Sequence, residues 1–186
     1  MAEKERLSSF HLITGGSGSG KSAYAENCAT ELSSRRIYIA TMIPYGEEGK
    51  RRVERHRNLR REKSFETVEC YTGLEELDLK PTIQRIEQKQ HPVALLECMS
   101  NLVANEMFEP NGAGEDAVAV ILRGIEALRR QVSHLVVVTN EVFSDGISYD
   151  KETMRYLSYL GAVNQAMAAQ ADTVTEVVYG IPVKMK

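Results

Sequence analysis

The segment Gly15-Gly-Ser-Gly-Ser-Gly-Lys-Ser22 constrains this chain more tightly than any other stretch of it. An apolar run, His11-Leu-Ile-Thr14, leads straight into it, and good helix formers (Ala23, Ala25, Ala29 and Leu32) follow. Glycines at this density let the backbone turn sharply enough for several N–H groups to point into one concavity. A helix that starts there adds the positive end of its dipole, so the place is built for an anion. The segment satisfies G-x-x-x-x-G-K-[ST] at every defined position, which makes it a P-loop for a nucleoside triphosphate. Gly15, Gly16, Ser17, Gly18, Ser19 and Gly20 would supply the cradle. Lys21 would place a full charge on the β/γ-phosphates, and the Ser22 hydroxyl would ligate Mg²⁺. A flexible Gly/Ser turn that happens to precede a lysine would lack the strand and helix on either side.

Short β-rich runs alternate with helical stretches along the rest of the chain. The runs are Phe10–Thr14, Ile37–Thr41, Thr67–Glu69, Val93–Glu97, Leu135–Thr139 and Thr173–Tyr179, with Gly180-Ile-Pro-Val suggesting a turn and a last short strand. Helices are expected near 21–34, 47–63, 98–107, 115–132 and 150–171, and loops over Met42–Glu48 and Glu109–Glu115. Val93-Ala-Leu-Leu and Leu135-Val-Val-Val are continuous apolar runs, as strands buried on both faces of a parallel sheet must be. The expected fold is therefore three-layer α/β with a mostly parallel sheet, in one domain spanning 1–186. In the last helix Gly161, Ala162, Ala166, Ala168, Ala169 and Ala171 form a small-residue surface, read as close packing of helix on sheet.

Two of these strands end in a carboxylate, Glu97 after Val93–Leu96 and Glu141 after Leu135–Thr139. Ligands of open α/β sheets bind beyond the carboxyl ends of the strands. Glu97 can hold Mg²⁺ or its waters opposite the P-loop hydroxyl, and Glu141 can orient or deprotonate an attacking hydroxyl. The alternative for each is a helix cap or a solvated strand end. Lys50–Lys63 packs eight Lys/Arg and His56 into fourteen residues. Three readings are open for it: a solvated helix face, a phosphate or nucleic-acid patch, or catalysis by His56 as a nucleophile toward phosphorus.

Composition narrows the classes. A net charge of -3 argues against a protein that coats nucleic acid or anionic membrane. No apolar run approaches the roughly 18–20 residues needed to span a bilayer. The first residues, of mixed charge, do not read as a signal peptide. Three widely spaced cysteines, Cys28, Cys70 and Cys98, read as reduced thiols, so a cytoplasmic protein is expected.

Several motifs in order carry a resemblance. They are Thr14-Gly-Gly-x-x-Ser-Gly-Lys-Ser22, Tyr38-Ile-Ala-Thr41, Arg52-Val-x-x-His56-Arg-x-x-Arg60 and Leu95-Leu-Glu-Cys98 with Asn101 and Asn105. Further on stand Val138-Thr-Asn-Glu-Val142, Gly161-x-x-Asn-Gln165 and Gly180-Ile-Pro-Val-Lys184. In these the chain resembles the bifunctional adenosylcobinamide kinase/adenosylcobinamide-phosphate guanylyltransferase family of cobalamin biosynthesis, over Leu12 to Lys186.

The resemblance implies two linked reactions with ATP and GTP as substrates. A nucleoside triphosphate phosphorylates the aminopropanol hydroxyl of adenosylcobinamide. GTP then gives GMP to a histidine, pyrophosphate leaves, and the cobinamide phosphate takes the GMP to yield adenosylcobinamide-GDP. By motif position His56 is that histidine. Arg52, Arg55, Arg57 and Arg60 would neutralise nucleotide charge around it, with Arg57 and Arg60 on the nucleotide. A RecA-like core and a homotrimer are implied as well.

The chain departs from the family pattern at Gly18, where the loop usually carries Arg, at Ile43–Gly49, at Ser148-Tyr149 and at Leu157-Ser158. A usual Trp is absent, with Phe65 nearby. Two other functions stay open on the residues alone. One is a single-activity P-loop kinase or guanylyltransferase on another small molecule. The other is a RecA-like NTPase stimulated by nucleic acid, which the acidic total charge and the lack of aromatics in 50–63 disfavour.

Overall fold

The computed structural model describes residues 8–47, 51, 54, 63–85, 91–142, 146 and 149–186. Among them the strands are β1 (Ser9–Thr14), β2 (Arg36–Ala40), β3 (Phe65–Glu69), β4 (Val93–Glu97), β5 (His134–Val138), β6 (Thr173–Val178) and β7 (Ile181–Lys184). The helices are α1 (Lys21–Leu32), α2 (Lys80–Arg85), α3 (Met99–Phe108), α4 (Ala117–Gln131) and α5 (Lys151–Gln170). One sheet runs in the order β3-β2-β4-β5-β1-β6-β7. Every pair in it is parallel except β6–β7, a hairpin.

Alternation along the buried strands builds two cores, one per face. Phe10 and Leu12 of β1, Ile37 and Ile39 of β2, Ala94 and Leu96 of β4, and Leu135 and Val137 of β5 point to one face. There they meet Leu102 and Val103 of α3, Ile121, Ile125 and Leu128 of α4, and Leu160, Val163 and Met167 of α5. Ile13, Tyr38, Val93, Leu95, Val136 and Val138 point to the other, under Ala25 and Ala29 of α1. A strand with a core on both sides has no polar face to alternate with, hence the continuous apolar runs. Burying each large aliphatic side chain here stabilises the fold by about 1.5–3 kcal/mol relative to exposure.

Element boundaries follow the sequence reading with local differences. β3 begins at Phe65, two residues before the expected Thr67; Phe65 is buried in the α1-side core. β5 ends at Val138, and the Thr139 N–H already belongs to the loop connections, donating to the Ile13 carbonyl at 2.9 Å. A 3₁₀ turn, Leu74–Glu76, and the short α2 were not expected. Leu74 is fully buried against α4, where a Cβ on Gly124 would stand 2.8 Å from the Leu74 Cβ. The expected helix over 47–63 falls almost wholly outside the described residues.

The small-residue surface of the last helix packs only in part: Ala171 is buried in the core and Ala168 lies against it. The buried line on α5 is Leu160, Val163 and Met167, while Ala162 and Ala169 are exposed. Its larger side chains, at i, i+3 and i+7, reach the core, and most of the alanines flank them.

Candidate functional site

The loop from Gly15 to Gly20 joins β1 to α1, and the backbone has the torsions its glycines permit. Gly18 and Gly20 lie at φ +70° and +93°. A Cβ at Gly15 would stand 2.5 Å from the Val177 carbonyl oxygen, so β6 admits no side chain there. Gly18 thus holds a left-handed conformation that suits glycine. Gly20 caps α1 without a side-chain hydrogen bond, which leaves the first amide groups of the helix to an anion. Ser19 Oγ is buried with no partner among the described residues, another unspent donor within the loop.

Lys21 is the buried cation of this site, at 8% exposure. Its ammonium donates to the Gly16 carbonyl at 2.9 Å, folding the side chain back across the loop. Burial lowers its pKa; the nearby Cys98 and Glu97 pull in the opposite direction. A bound polyphosphate would supply the negative charge this ammonium lacks.

Strand alternation brings Glu97 to this cation. Val93, Leu95 and Glu97 share the β4 face that α1 covers, and the first turn of α1 carries Ser22. The Ser22 hydroxyl donates to Glu97 Oε1. On the next strand, in register two residues back, the Tyr38 hydroxyl donates to Glu97 Oε2 at 3.0 Å. Glu97 therefore does not cap the following helix, whose N-cap is Cys98, a residue that makes no side-chain capping bond.

The other strand-end carboxylate enters the site by its backbone. The Glu141 N–H donates to the Gly15 carbonyl at 3.0 Å, which stitches the end of β5 to the start of the P-loop. Beside it, Asn140 Nδ2 donates to Ser100 Oγ at 2.6 Å, and Ser100 Oγ lies 3.0 Å from Cys98 Sγ. Thr139 Oγ1 donates to Asn164 Oδ1 at 2.7 Å, and the Tyr156 hydroxyl donates to the Ser100 carbonyl at 3.3 Å. Burial pushes the Tyr156 phenol up to about 12, with the Cys98 thiol adding to the rise. Thr41 clamps the end of β4: it donates to the Cys98 carbonyl and accepts from the Cys98 N–H, both at 2.8 Å. Asn105, buried, donates to the carbonyls of Thr41 and Tyr71 at 2.8 and 2.9 Å. Its place in the resemblance thus has a structural reason: it ties the carboxyl ends of β2 and β3 to α3.

The structure brings Gly15–Ser22, Glu97 and Glu141 together at one edge of the sheet. His56, Arg57, Arg60 and their companions Arg52 and Arg55 lie outside the described residues. Tyr38 is the site residue that sequence reasoning missed. Its signal was there: a phenol between Ile37 and Ile39 in a buried strand needs a partner for its hydroxyl.

Comparison with known proteins identifies the family. Residues 11–185 match the family model described as cobinamide kinase/cobinamide phosphate guanyltransferase. The bifunctional adenosylcobalamin biosynthesis protein CobU of Escherichia coli K12 is 36% identical over 189 residues, covering 94% of this chain and 98% of that protein. Its Pseudomonas aeruginosa PAO1 counterpart, CobP, is 30% identical over 177 residues, covering 94% and 96%. Among solved structures, one ATPase domain superposes with a TM-score of 0.52 at 15% identity, covering 94% of this chain and 70% of that one. That likeness bears on the fold alone.

Proposed function

The chain belongs to the cobinamide kinase/cobinamide phosphate guanyltransferase family, and from that premise we propose that it catalyses both reactions in the name. In the first, the aminopropanol hydroxyl of adenosylcobinamide attacks the γ-phosphorus of ATP or GTP. The bond from that phosphorus to the bridging oxygen breaks, and the nucleoside diphosphate leaves. In the second, His56 attacks the α-phosphorus of GTP and pyrophosphate departs. The cobinamide phosphate then displaces His56 and carries off GMP as adenosylcobinamide-GDP.

The observation that carries the proposal is the meeting of Lys21, Ser22 and Glu97 at the mouth of the glycine loop. The backbone amides from Gly15 to Gly20 and the start of α1 hold the phosphates, and Lys21 leaves the Gly16 carbonyl for a phosphate oxygen. The Ser22 hydroxyl and the Glu97 carboxylate, already in contact, are the two hard oxygen donors a nucleotide-borne Mg²⁺ takes from a protein. Bound there, Mg²⁺ would offset the charge that develops on the β- and γ-oxygens. Tyr38 holds the carboxylate in place from behind. Glu141, beside the loop, receives the proton of the attacking hydroxyl. Arg57 and Arg60 neutralise the nucleotide while His56 attacks.

We place both activities in a single domain of a cytoplasmic protein. The free thiols Cys28, Cys70 and Cys98 fit a reducing compartment, and no described helix is long and apolar enough to cross a membrane. The exposed Ile181 and Val183 on edge strand β7, with Met185 just beyond it, support self-association, for which the resemblance implies a trimer.

The test is covalent labelling. Protein and its His56→Ala variant are incubated with Mg²⁺ and α-labelled GTP and run on a denaturing gel. Acid-labile, alkali-stable label on the unaltered protein alone is the expected result. Equal label on both would move the covalent carrier away from His56, and no label on either would leave only the kinase half.

A further inference from the structure

The sheet order leaves one direction open for the nucleoside. β1 delivers the cradle between β5 and β6. On the β5 side stand Glu141 and, one strand further, Glu97, where the reactive end of the polyphosphate is held. On the other side the β6–β7 hairpin turn lies against the cradle: the Gly180 N–H donates to the Ser19 carbonyl at 2.8 Å. A Cβ at Gly20 would stand 3.3 Å from the Gly180 Cα.

That turn holds an anomaly. Val178 pairs with Ile181, so Tyr179 and Gly180 form a two-residue turn, with φ at +50° and +78°. Such turns favour Asn-Gly, and a bulky side chain at positive φ is strained. Tyr179 is 95% exposed, so no packing among the described residues explains the ring. The cost is borne at a turn that is hydrogen-bonded to the phosphate loop.

We propose that Tyr179 is the platform on which the purine base of the bound nucleotide stacks. The inference rests on the reading of Gly15–Ser22 as a nucleotide site and adds the residue that holds the other end of the ligand. Because every base presents a π-face, the ring contributes affinity without choosing between adenine and guanine. It therefore serves ATP and GTP alike.

The experiment measures equilibrium binding of GTP, ATP and inorganic tripolyphosphate, each with Mg²⁺, to the full chain and to Tyr179→Asn and Tyr179→Phe. Asn suits this turn better than Tyr, so that variant loses the ring without endangering the hairpin. Tyr179→Asn should weaken GTP and ATP in parallel by at least about fivefold and leave tripolyphosphate unchanged. Tyr179→Phe should stay within about twofold of the parent for all three, since the π-face is kept. The chain has no tryptophan, so Tyr179→Trp adds a sole indole, which GTP should quench and tripolyphosphate should not. Unchanged GTP affinity in Tyr179→Asn overturns the inference. So does an equal loss for tripolyphosphate, which would give the turn a role in shaping the cradle instead. If the parent binds none of the three, the nucleotide site itself is wrong and this inference falls with it; binding of tripolyphosphate with no effect of Tyr179 overturns the platform alone.

Discussion

Ser22 donates its hydroxyl to Glu97, so the first turn of α1 is tied to the far end of β4 across the mouth of the phosphate loop. The second oxygen of the same carboxylate takes the Tyr38 hydroxyl. Two elements, α1 and β2, thus fix a carboxylate carried by a third at both oxygens, and each contact follows from alternation: Tyr38, Leu95 and Glu97 all face α1. A carboxylate held in this way is preorganised for a metal that arrives with its nucleotide.

Glu97→Gln should therefore raise the Mg²⁺ requirement of the kinase reaction by about 10- to 100-fold. Tyr38→Phe, which removes only the supporting hydroxyl, should raise it by about tenfold while the KM for GTP at saturating Mg²⁺ stays put. Mg²⁺ titrations at fixed nucleotide read both effects. A Tyr38→Phe titration that overlays the parent curve would leave the phenol with packing alone.

Lys21→Met offers a separation of binding from folding. The ammonium is buried, and burial lowers its pKa, so the folded chain bears a desolvation cost for it. Met keeps the stem and discards the charge. Without nucleotide, the variant should melt at or above the parent temperature, while its affinity for GTP falls by about 10- to 100-fold. Calorimetry with and without ligand measures both; a large drop in melting temperature would make Lys21 a structural residue.

Gly15→Ala probes the contact between the loop and β6. The added methyl would meet the Val177 carbonyl at 2.5 Å and Ser19 Oγ at 2.6 Å. The hydroxyl can turn away, but the carbonyl belongs to a paired strand. A destabilisation of about 1–3 kcal/mol is expected from the overpacking, seen as a lower urea midpoint at constant slope. Gly16→Ala, whose Cβ would meet nothing within 4 Å, should change the midpoint little.

The legible part of this molecule is the part that local pattern controls. β4 and β5 are unbroken apolar runs, and the glycines around Lys21 admit few other conformations. What the sequence hides is set by tertiary partners. β3 has one neighbour in the sheet and a mixed pattern, so Phe65 and Glu66 gave no strand signal until β2 was placed beside them. The 3₁₀ turn at Leu74 depends on Gly124, fifty residues on, to receive its side chain. Glu97 could be picked out as a strand-end carboxylate, but its contact with Ser22 required the strand order. Ala162 and Ala169 of α5 misled because small size marks a close approach only when the helix turns that side inward. Here Leu160, Val163 and Met167 do so instead.

A last expectation concerns alkaline stability. Burial raises the Cys70 thiol from 9.0 to about 11 and the Tyr156 phenol from 10.0 to about 12. In the unfolded chain both groups lose their protons earlier, at their ordinary values. Between pH 9.0 and about 12 the unfolded state therefore binds fewer protons than the folded one, and stability must fall as pH rises. Below pH 9.0 both forms are protonated in either state, so these two groups give no slope there. Tyr156→Phe keeps the ring and gives up a long hydrogen bond to the Ser100 carbonyl, so it should fold. Its urea midpoint should decline less steeply than the parent's above pH 10.0, where the phenol's contribution begins. Cys70→Ala should flatten the lower part of the window in the same way. Parallel declines for parent and Tyr156→Phe would mean that the phenol ionises as readily in the folded chain as in the unfolded one, and that the Ser100–Tyr156 corner admits water.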